Sequence, residues 1–436
     1  MTDSNLPVRN GTDVLNLLVN LGGSGYHPGA WRRPGHDPRE FVSPSFVRRV
    51  SNIAEAGLFC GVLIPDIPAF APASAVMPTP TLDPITVAAI VLSETTKIGA
   101  IATVSTTLSN PKTLARQILT LDHLSGGRAG WNAVSTFEHR AGANFGIDEM
   151  PSRTERYSLA ADVVAWARRL WDEVVETAPS GDSKEDQGDG DGSEDYGRSE
   201  RRRAALGSPQ GRPVVVQAGA SPAGEEFAAS SAEVVYGAQL SLRSATEFAI
   251  RLRSRARELG RPANSLKIMP GLIPIIAGSE AEARRRLADL DSYSSPVLSA
   301  EEKVAQWLGI PVGDLREDSP VTEDQLPSVE SRYGPQGFFL AGARYAIESG
   351  LPVGRLADDV LGGHRTVLGT PEHIADHIET WWRSGAVDGF TVVPAELPDS
   401  LEQFVAEVVP ILQDRGVYPR TYRGSTLREH LNLPLH

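Results

Sequence analysis

Short apolar runs alternate with helical patterns along almost the whole chain, and this alternation limits the possible folds more than any other feature. Between most of the runs, apolar residues recur at three- and four-residue spacing, as in SFVRRVSNIAEAG and EHIADHIETWWRSG. Because the runs are apolar on both faces, they are typical of strands in a covered parallel sheet. The eight runs lie at 14–22, 58–66, 97–106, 128–136, 213–221, 232–239, 267–278 and 388–395.

Eight strand–helix units predict an α/β fold, a closed (β/α)8 TIM barrel. An open doubly wound sheet is the alternative, but no predicted strand runs into a G-x-G-x-x-G turn. We expect one barrel domain over residues 1–436.

Two regions interrupt the alternation. Residues 176–211 are rich in Gly, Ser, Asp and Glu, which predicts a disordered acidic loop, a mobile excursion from the surface. Residues 280–365 carry helical patterns and Pro-rich joins between the seventh and eighth predicted strands. They predict a helical insertion over the barrel mouth that serves as a lid.

Composition excludes several classes of protein. The net charge of −13 argues against binding to a phosphate backbone, so nucleic acid is not an expected partner. Apolar runs such as VAAIVL at 87–92 are too short to span a membrane, and the polar N-terminus carries no secretion signal. The single cysteine, Cys60, excludes an internal disulfide and suits a cytoplasmic location. A small-molecule ligand is favoured.

The predicted strands end in small hydroxyl and amide side chains, where barrel enzymes place their sites. The nine histidines show no metal-ligand spacing, so no metal site is expected. This set suits a polar aromatic ligand with a phosphate group, and SPAGEEF at 221–227 opens a helix whose amides can bind an anion. The candidates at these strand ends include His27, Asp66, Thr106, Asn132 and Ser221.

Six segments of the sequence give the chain a more specific resemblance, because they occur in the same order as in a known family. The sequence resembles the flavin-dependent monooxygenases of the nitrilotriacetate and dibenzothiophene-sulfone monooxygenase family, which are bacterial-luciferase-like barrels. The resemblance implies reduced FMN (FMNH2) as co-substrate, supplied by a separate NAD(P)H:flavin reductase, and O2 activated as a C4a-(hydro)peroxyflavin. The strings are GYHPGAWR, STTLSNPKTLARQILTLDHLSGGRAGWNAVST, ANFG, ERYSLAADVVAWARRLWD, SPQGRPVVVQAGASPAG and LQDRGVYPRTYRGSTLREHL.

The resemblance also implies roles for particular residues. Asp66 and Thr106 match flavin-contacting positions, and Tyr157 and Ser221 match positions that hold the FMN phosphate and ribityl chain. Ala220 stands beside Ser221 and is included in the cofactor site.

Asn132 and His27 are the candidates for the catalytic face of the flavin, and Asn132 is also included among the cofactor-binding residues. Two departures from the family pattern stand out. Arg153 stands where the family commonly has His, four residues before the matching Tyr, and it can bind the phosphate through two hydrogen bonds. The acidic excursion replaces a hairpin that helps to wall the substrate side.

The leading hypothesis is a two-component FMNH2-dependent monooxygenase that oxidises a small organic substrate at a carbon–heteroatom bond. One alternative keeps the fold and makes the protein a deazaflavin (F420)-dependent oxidoreductase, although LQDRGVYPRTYRGSTLREHL favours the monooxygenases. A second alternative is a non-catalytic flavin-binding protein that has lost its substrate wall. The resemblance also implies a homodimer or homotetramer.

Overall fold

The computed structural model describes residues 6, 9, 13–69, 82–176, 207–219, 221–262, 264–328 and 336–435. The predicted acidic excursion therefore lies mostly outside the described residues, as does Ala220.

Eleven strands form one curled sheet, and every neighbouring pair in it is parallel except the last. In chain order they are β1 (Asn16–Asn20), β2 (Gly61–Ile64), β3 (Gly99–Ser105), β4 (Ala129–Val134), β5 (Val214–Ala218), β6 (Val234–Tyr236), β7 (Lys267–Ile268), β8 (Gly271–Ile276), β9 (Val360–Leu361), β10 (His364–Gly369) and β11 (Gly389–Val392). Hydrogen-bonded neighbours follow the order β7-β6-β5-β4-β3-β2-β1-β11-β8-β10-β9.

Residues 267–276 close the sheet, because they are hydrogen-bonded to strands at both of its sides. The backbone N–H of Lys267 donates to the carbonyl of Glu233 at 2.8 Å, which joins β7 to β6. On the opposite edge, the N–H of Asp388 donates to the carbonyl of Ile268 at 2.8 Å, and β8 pairs with β11. The strands therefore surround a common interior, which is consistent with the predicted barrel.

Helices follow most of the strands, and most of them cover the outside of the sheet. They are α1 (Pro44–Ala56), α2 (Pro84–Glu94), α3 (Pro111–Ser125), α4 (His139–Asn144), α5 (Arg153–Glu176), α6 (Pro222–Ser231), α7 (Leu242–Glu258), α8 (Glu280–Ser292), α9 (Ala300–Leu308), α10 (Gln336–Ser349), α11 (Val353–Asp359), α12 (Pro371–Arg383), α13 (Asp399–Gln403), α14 (Val409–Asp414) and α15 (Leu427–His430).

Local sequence explains where many of these helices begin. A hydroxyl or carboxamide or carboxylate oxygen accepts the N–H three residues further on, which satisfies a backbone donor that has no partner within the helix. The residues that do so are Ser43, Asp83, Asn110, Ser221, Ser241, Ser279, Ser299, Thr370 and Thr426.

The C-terminal segment closes the base of the barrel. Leu427 lies against Gly61, Gly99 and Gly130, and it takes the space that side chains at these three strand positions would occupy. Leu431 and Leu433 belong to the same apolar cluster, which fills the inside of the sheet. Glycine at these strand positions therefore lets the C-terminal plug enter.

Arg428 holds this plug in place by a buried ion pair. Its guanidinium is fully buried, and Nη1 lies 2.6 Å from Oε1 of Glu233. The same guanidinium donates to the carbonyls of Gln210, Arg212 and Pro434 at 2.9–3.0 Å. The charge is thus surrounded by acceptors rather than by water.

The sequence predicted eight strands, whereas the described residues form eleven. Each predicted run contains a strand, but the run at 267–278 contains two, because Pro270 offers no N–H and interrupts the hydrogen-bond ladder. Strands β9 and β10 were missed because they lie in 360–369, which overlaps the predicted helical insertion. The preceding residues do form helices α8–α11.

We predict that Arg428→Met lowers the free energy of unfolding by about 3–5 kcal/mol, because it leaves the Glu233 carboxylate buried without its counter-charge. Urea denaturation followed by circular dichroism measures the loss. Arg420→Met is the matched control: the Arg420–Asp414 pair is exposed, and its removal should cost less than about 1 kcal/mol. Equal losses in the two variants would contradict the assigned role of Arg428.

Candidate functional site

Helix α8 covers one half of the barrel mouth. Beyond the barrel proper, β8, β10 and β11 extend upward and keep an apolar inward face, against which α8 packs. This contact leaves the carboxyl ends of β2 to β6 as the other half, where the sequence placed most candidate residues. The packed residues are Ile273, Ile275 and Leu368 on the strands, Val393 and Ala395 directly after β11, and Ala283, Leu287 and Leu290 on the helix.

Asn132 lies inside the barrel at the mouth. Its side chain is 3% exposed, and Nδ2 donates to Oγ1 of Thr103 at 3.0 Å. Thr103 is its register partner on β3, which the sequence reasoning did not single out. Among the described residues, Oδ1 of Asn132 has no hydrogen-bond partner. A buried carbonyl oxygen without a partner is costly, so this atom suits a ligand donor.

The turn after β3 is held by its own hydroxyls. Thr106 is 1% exposed, and its Oγ1 donates to the carbonyl of Val134 at 3.1 Å. Ser105 accepts the N–H of Thr107 at 3.2 Å and the hydroxyl of Thr136 at 2.7 Å. The buried Oγ1 of Thr107 has no partner within the described residues. Thr106 can therefore contact a ligand only as an acceptor, while Thr107 offers a hydroxyl that is not engaged there.

A cradle forms where β5 ends and α6 begins. Oγ of Ser221 accepts the N–H of Gly224 at 3.2 Å and caps α6. A Cβ atom on Gly219 would lie 3.2 Å from the Tyr157 hydroxyl, and one on Gly224 would lie 3.1 Å from it. Gly219 also has a φ of +151°. Glycine at both positions therefore keeps open a small space that a hydroxyl and the first amides of a helix surround.

Tyr157 is held on the side of this cradle. Its ring lies 6.2 Å from the ring of Phe227 on α6, centroid to centroid. The buried Oε1 of Gln217 has no partner among the described residues, and Nε2 of the same amide lies 2.8 Å from the position of a Gly219 Cβ. Uncharged donors around a helix N-terminus fit a phosphate group.

Asp66 and Arg153 are two further candidates, and the contacts of the described residues do not indicate a role for either. Asp66 follows β2 and is partly exposed; burial and then the charge of Asp83 raise the pKa of its carboxyl to about 6. Arg153 begins α5 and is also partly exposed. It lies four residues before Tyr157, so the two side chains share one face of the helix.

His27 contacts the insertion. Nδ1 accepts the backbone N–H of Gly29 at 3.0 Å, so the proton of the neutral ring is on Nε2. Nε2 faces Oδ1 of Asp291 on α8 at 3.3 Å, and Asp291 also pairs with Lys303 at 2.5 Å. Both ring nitrogens thus face protein atoms, and the expected role of His27 beside the flavin stays a prediction.

Four aromatic side chains that the sequence reasoning missed line the mouth between β6 and the insertion; we call them the aromatic wall. Tyr236 ends β6, and its hydroxyl lies 2.8 Å from Nε2 of His364, which begins β10. The His364 ring lies 5.2 Å from Tyr236, 5.4 Å from Tyr26 and 5.3 Å from Phe338 of α10. The paired glycines before His364 were the one sequence signal for this packing.

Glycines make room for the wall. A Cβ atom on Gly271 would overlap the His364 ring. Likewise, Cβ atoms on Gly362 and Gly363 would overlap Tyr26 and Phe338. The aromatic rings therefore rest directly on backbone, which fixes their positions.

The described residues contain neither a group of metal ligands nor a membrane-spanning helix. No group of three or more His, Cys, Asp and Glu side chains in these ranges could hold a metal ion. No helix there is long and apolar enough to cross a membrane.

Comparison with known proteins identifies relatives over nearly the whole chain. Nitrilotriacetate monooxygenase component A of Aminobacter aminovorans is 33% identical, covering 96% of this chain and 97% of its own. Dibenzothiophene-sulfone monooxygenase of Rhodococcus erythropolis is 32% identical, covering 93% of each chain.

Solved structures share the fold. EDTA monooxygenase from Chelativorans sp. BNC1 superposes with a TM-score of 0.78 at 33% identity, over 97% of this chain and 99% of that one. Riboflavin lyase, solved with modified FMN and riboflavin, superposes with a TM-score of 0.75 at 26% identity, over 97% of each chain.

The family model described as luciferase-like monooxygenase matches residues 30–389. This match and the relatives confirm the resemblance that the six strings indicated. The chain belongs to the luciferase-like monooxygenase family and is a flavin-dependent monooxygenase.

Proposed function

We propose that the protein is the oxygenase component of a two-component system, which uses FMNH2 and O2 to oxidise a small organic substrate at a carbon–heteroatom bond. The observation that carries this proposal is the cradle of Tyr157, Gly219, Ser221 and Gly224 at the start of α6. It offers hydroxyls and helix amides to a phosphate at the same end of the barrel as the unpartnered oxygen of Asn132.

The residues present fit FMN at both ends of the molecule. Ser221, Tyr157 and the first amides of α6 would hold the phosphate, and Arg153 lies on the helix face of Tyr157. Oδ1 of Asn132 would accept a hydrogen bond from an N–H at the edge of the flavin ring. Bound FMNH2 supplies the electrons that activate O2, so the protein is asked mainly to bind, orient and exclude water.

The insertion is the element that would exclude water. Helix α8 already packs on the inward faces of β8, β10 and β11, and the His27–Asp291 contact joins it to the loop after β1. We propose that residues 280–365 act as the lid of the site and that Asp66, Thr106 and Ala220 belong to the cofactor side of the mouth.

The partners follow from the same proposal. A separate NAD(P)H:flavin reductase would supply FMNH2, as the name component A of the nitrilotriacetate relative suggests for that protein. Relatives named monooxygenases at 32–33% identity favour oxygenation over deazaflavin-dependent hydride transfer and over flavin binding without catalysis.

The central experiment mixes the protein, loaded with photoreduced FMN, with oxygenated buffer in a stopped-flow spectrophotometer. We expect bound flavin to pass through a transient absorbing species and to reoxidise more slowly than free FMNH2. Reduced F420 in place of FMNH2 tests the alternative. Tighter binding of F420, or reoxidation at the rate of free FMNH2, would overturn the proposal.

We predict that Ser221→Ala and Tyr157→Phe each weaken FMN binding by about tenfold or more, because each removes a hydrogen bond to a charged group. Riboflavin lacks the phosphate, so its affinity should change little. Ser230→Ala, at the exposed end of the same helix, is the control variant. Equal losses for FMN and riboflavin would place the phosphate elsewhere. Fluorescence titration measures the affinity of each variant for both flavins.

Asn132→Leu should behave differently from the phosphate variants. Leucine is close in size to asparagine but offers no acceptor to the flavin ring. We therefore expect FMN and riboflavin to lose affinity together, by about tenfold. The same fluorescence titration measures both. A loss confined to FMN would show that Asn132 contacts the phosphate end instead.

A further inference from the structure

The aromatic wall faces the cofactor half of the mouth. Tyr236 is the register partner of Ala218 on β5, and its carbonyl accepts the N–H of Gly219 from the cradle. From Tyr236 the wall continues away from the cradle to His364, Tyr26 and Phe338. The side chains of Tyr26 and Phe338 are only partly buried, so each leaves part of its surface accessible.

The wall is uncharged at neutral pH. Burial lowers the pKa of His364 to about 4, so its imidazole is neutral. Burial also raises the pKa of Tyr26 to about 12 and holds the pKa of Tyr236 well above its usual range, so both phenols keep their protons. The polar atoms of the wall are therefore neutral donors and acceptors.

Five cations on the described elements around the wall contact carboxylates. In the loop after β1, Arg33 contacts Glu396, which Arg286 of α8 also contacts at 3.1 Å. Beside His364, Arg365 pairs with Asp359 at 2.7 Å. Two further pairs join Lys303 to Asp291 and Arg344 to Glu247, at 2.5 and 2.7 Å. A substrate carboxylate would have to compete with these partners.

From this geometry we infer that the aromatic wall is the substrate-binding surface and that it selects an uncharged, planar aromatic molecule rather than a polycarboxylate. The inference rests on the proposed function, because it assigns the substrate class of the same site. The partly buried rings of Tyr26 and Phe338 would provide stacking and edge contacts. The neutral Tyr236–His364 pair can hydrogen-bond a carbonyl or sulfonyl oxygen without the desolvation cost of an added charge.

Two relatives supply opposite probes. Nitrilotriacetate is a small tricarboxylate, whereas dibenzothiophene sulfone is an uncharged tricyclic aromatic compound. Isothermal titration of each compound into the FMN-loaded protein and into the flavin-free protein measures the two affinities. We expect saturable binding of the sulfone and at least about tenfold weaker binding of nitrilotriacetate.

Two variants at one position locate the effect. Phe338→Ala should weaken sulfone binding by about fivefold to tenfold, since it removes one ring of the wall. Phe338→Arg adds a cation without a carboxylate partner and should strengthen nitrilotriacetate binding by a similar factor. Leu124→Ala removes an exposed apolar side chain at the end of α3, outside the mouth, and should change neither affinity.

The outcomes separate this inference from the proposed function. Any of three results would overturn the assignment of the wall. Nitrilotriacetate could bind as tightly as the sulfone, the sulfone could show no saturable binding, or both Phe338 variants could keep unchanged affinities. A protein that binds the sulfone through Phe338 but does not bind reduced FMN would retain the wall and reject the proposed oxygenase.

Discussion

Residues 267–276 change their neighbouring strands along their length, and the arrangement of the barrel mouth depends on this change. The first part of this segment, β7, pairs with β6, whereas its second part, β8, pairs with β11 and β10. Because β10 begins where β6 ends, His364 is brought against Tyr236. The strands that rise above the barrel also keep an apolar inward face, and α8 packs on it. Both the aromatic wall and the position of the insertion follow from this one exchange.

Charge is distributed unequally between the two ends of the barrel. At the base, the buried Arg428 guanidinium is neutralised by Glu233 and by backbone carbonyls, which is a permanent arrangement. At the cradle, the groups around the open space are hydroxyls, amides and a helix N-terminus. Under the proposed function the cofactor arrives and leaves with each turnover. Neutral donors suit such a site, because an empty pocket lined by unpaired cations would carry a large desolvation cost.

Sequence reasoning succeeded where a residue's environment is local. The apolar runs located a strand in each of eight places, and SPAGEEF at 221–227 indicated the start of a helix, which α6 confirms. It failed where the partner is distant. His27 faces Asp291, which is far away in the sequence, and nothing near either residue indicates the contact. Strand β10 likewise pairs with β8, which is a distant segment of the chain.

The same distinction explains why the cofactor side of this family is easier to recognise than the substrate side. The cradle is built largely from Gly219, Ser221 and Gly224, which lie close together in the sequence, so a short segment of sequence is enough to recognise it. The wall is assembled from residues 26, 236, 338 and 364, which four separate elements bring together. A substitution in any one of these elements can change the wall without disturbing the cradle. Similarity spread over the whole chain therefore constrains the flavin chemistry more tightly than it constrains the substrate, and the substrate has to be inferred from the wall itself.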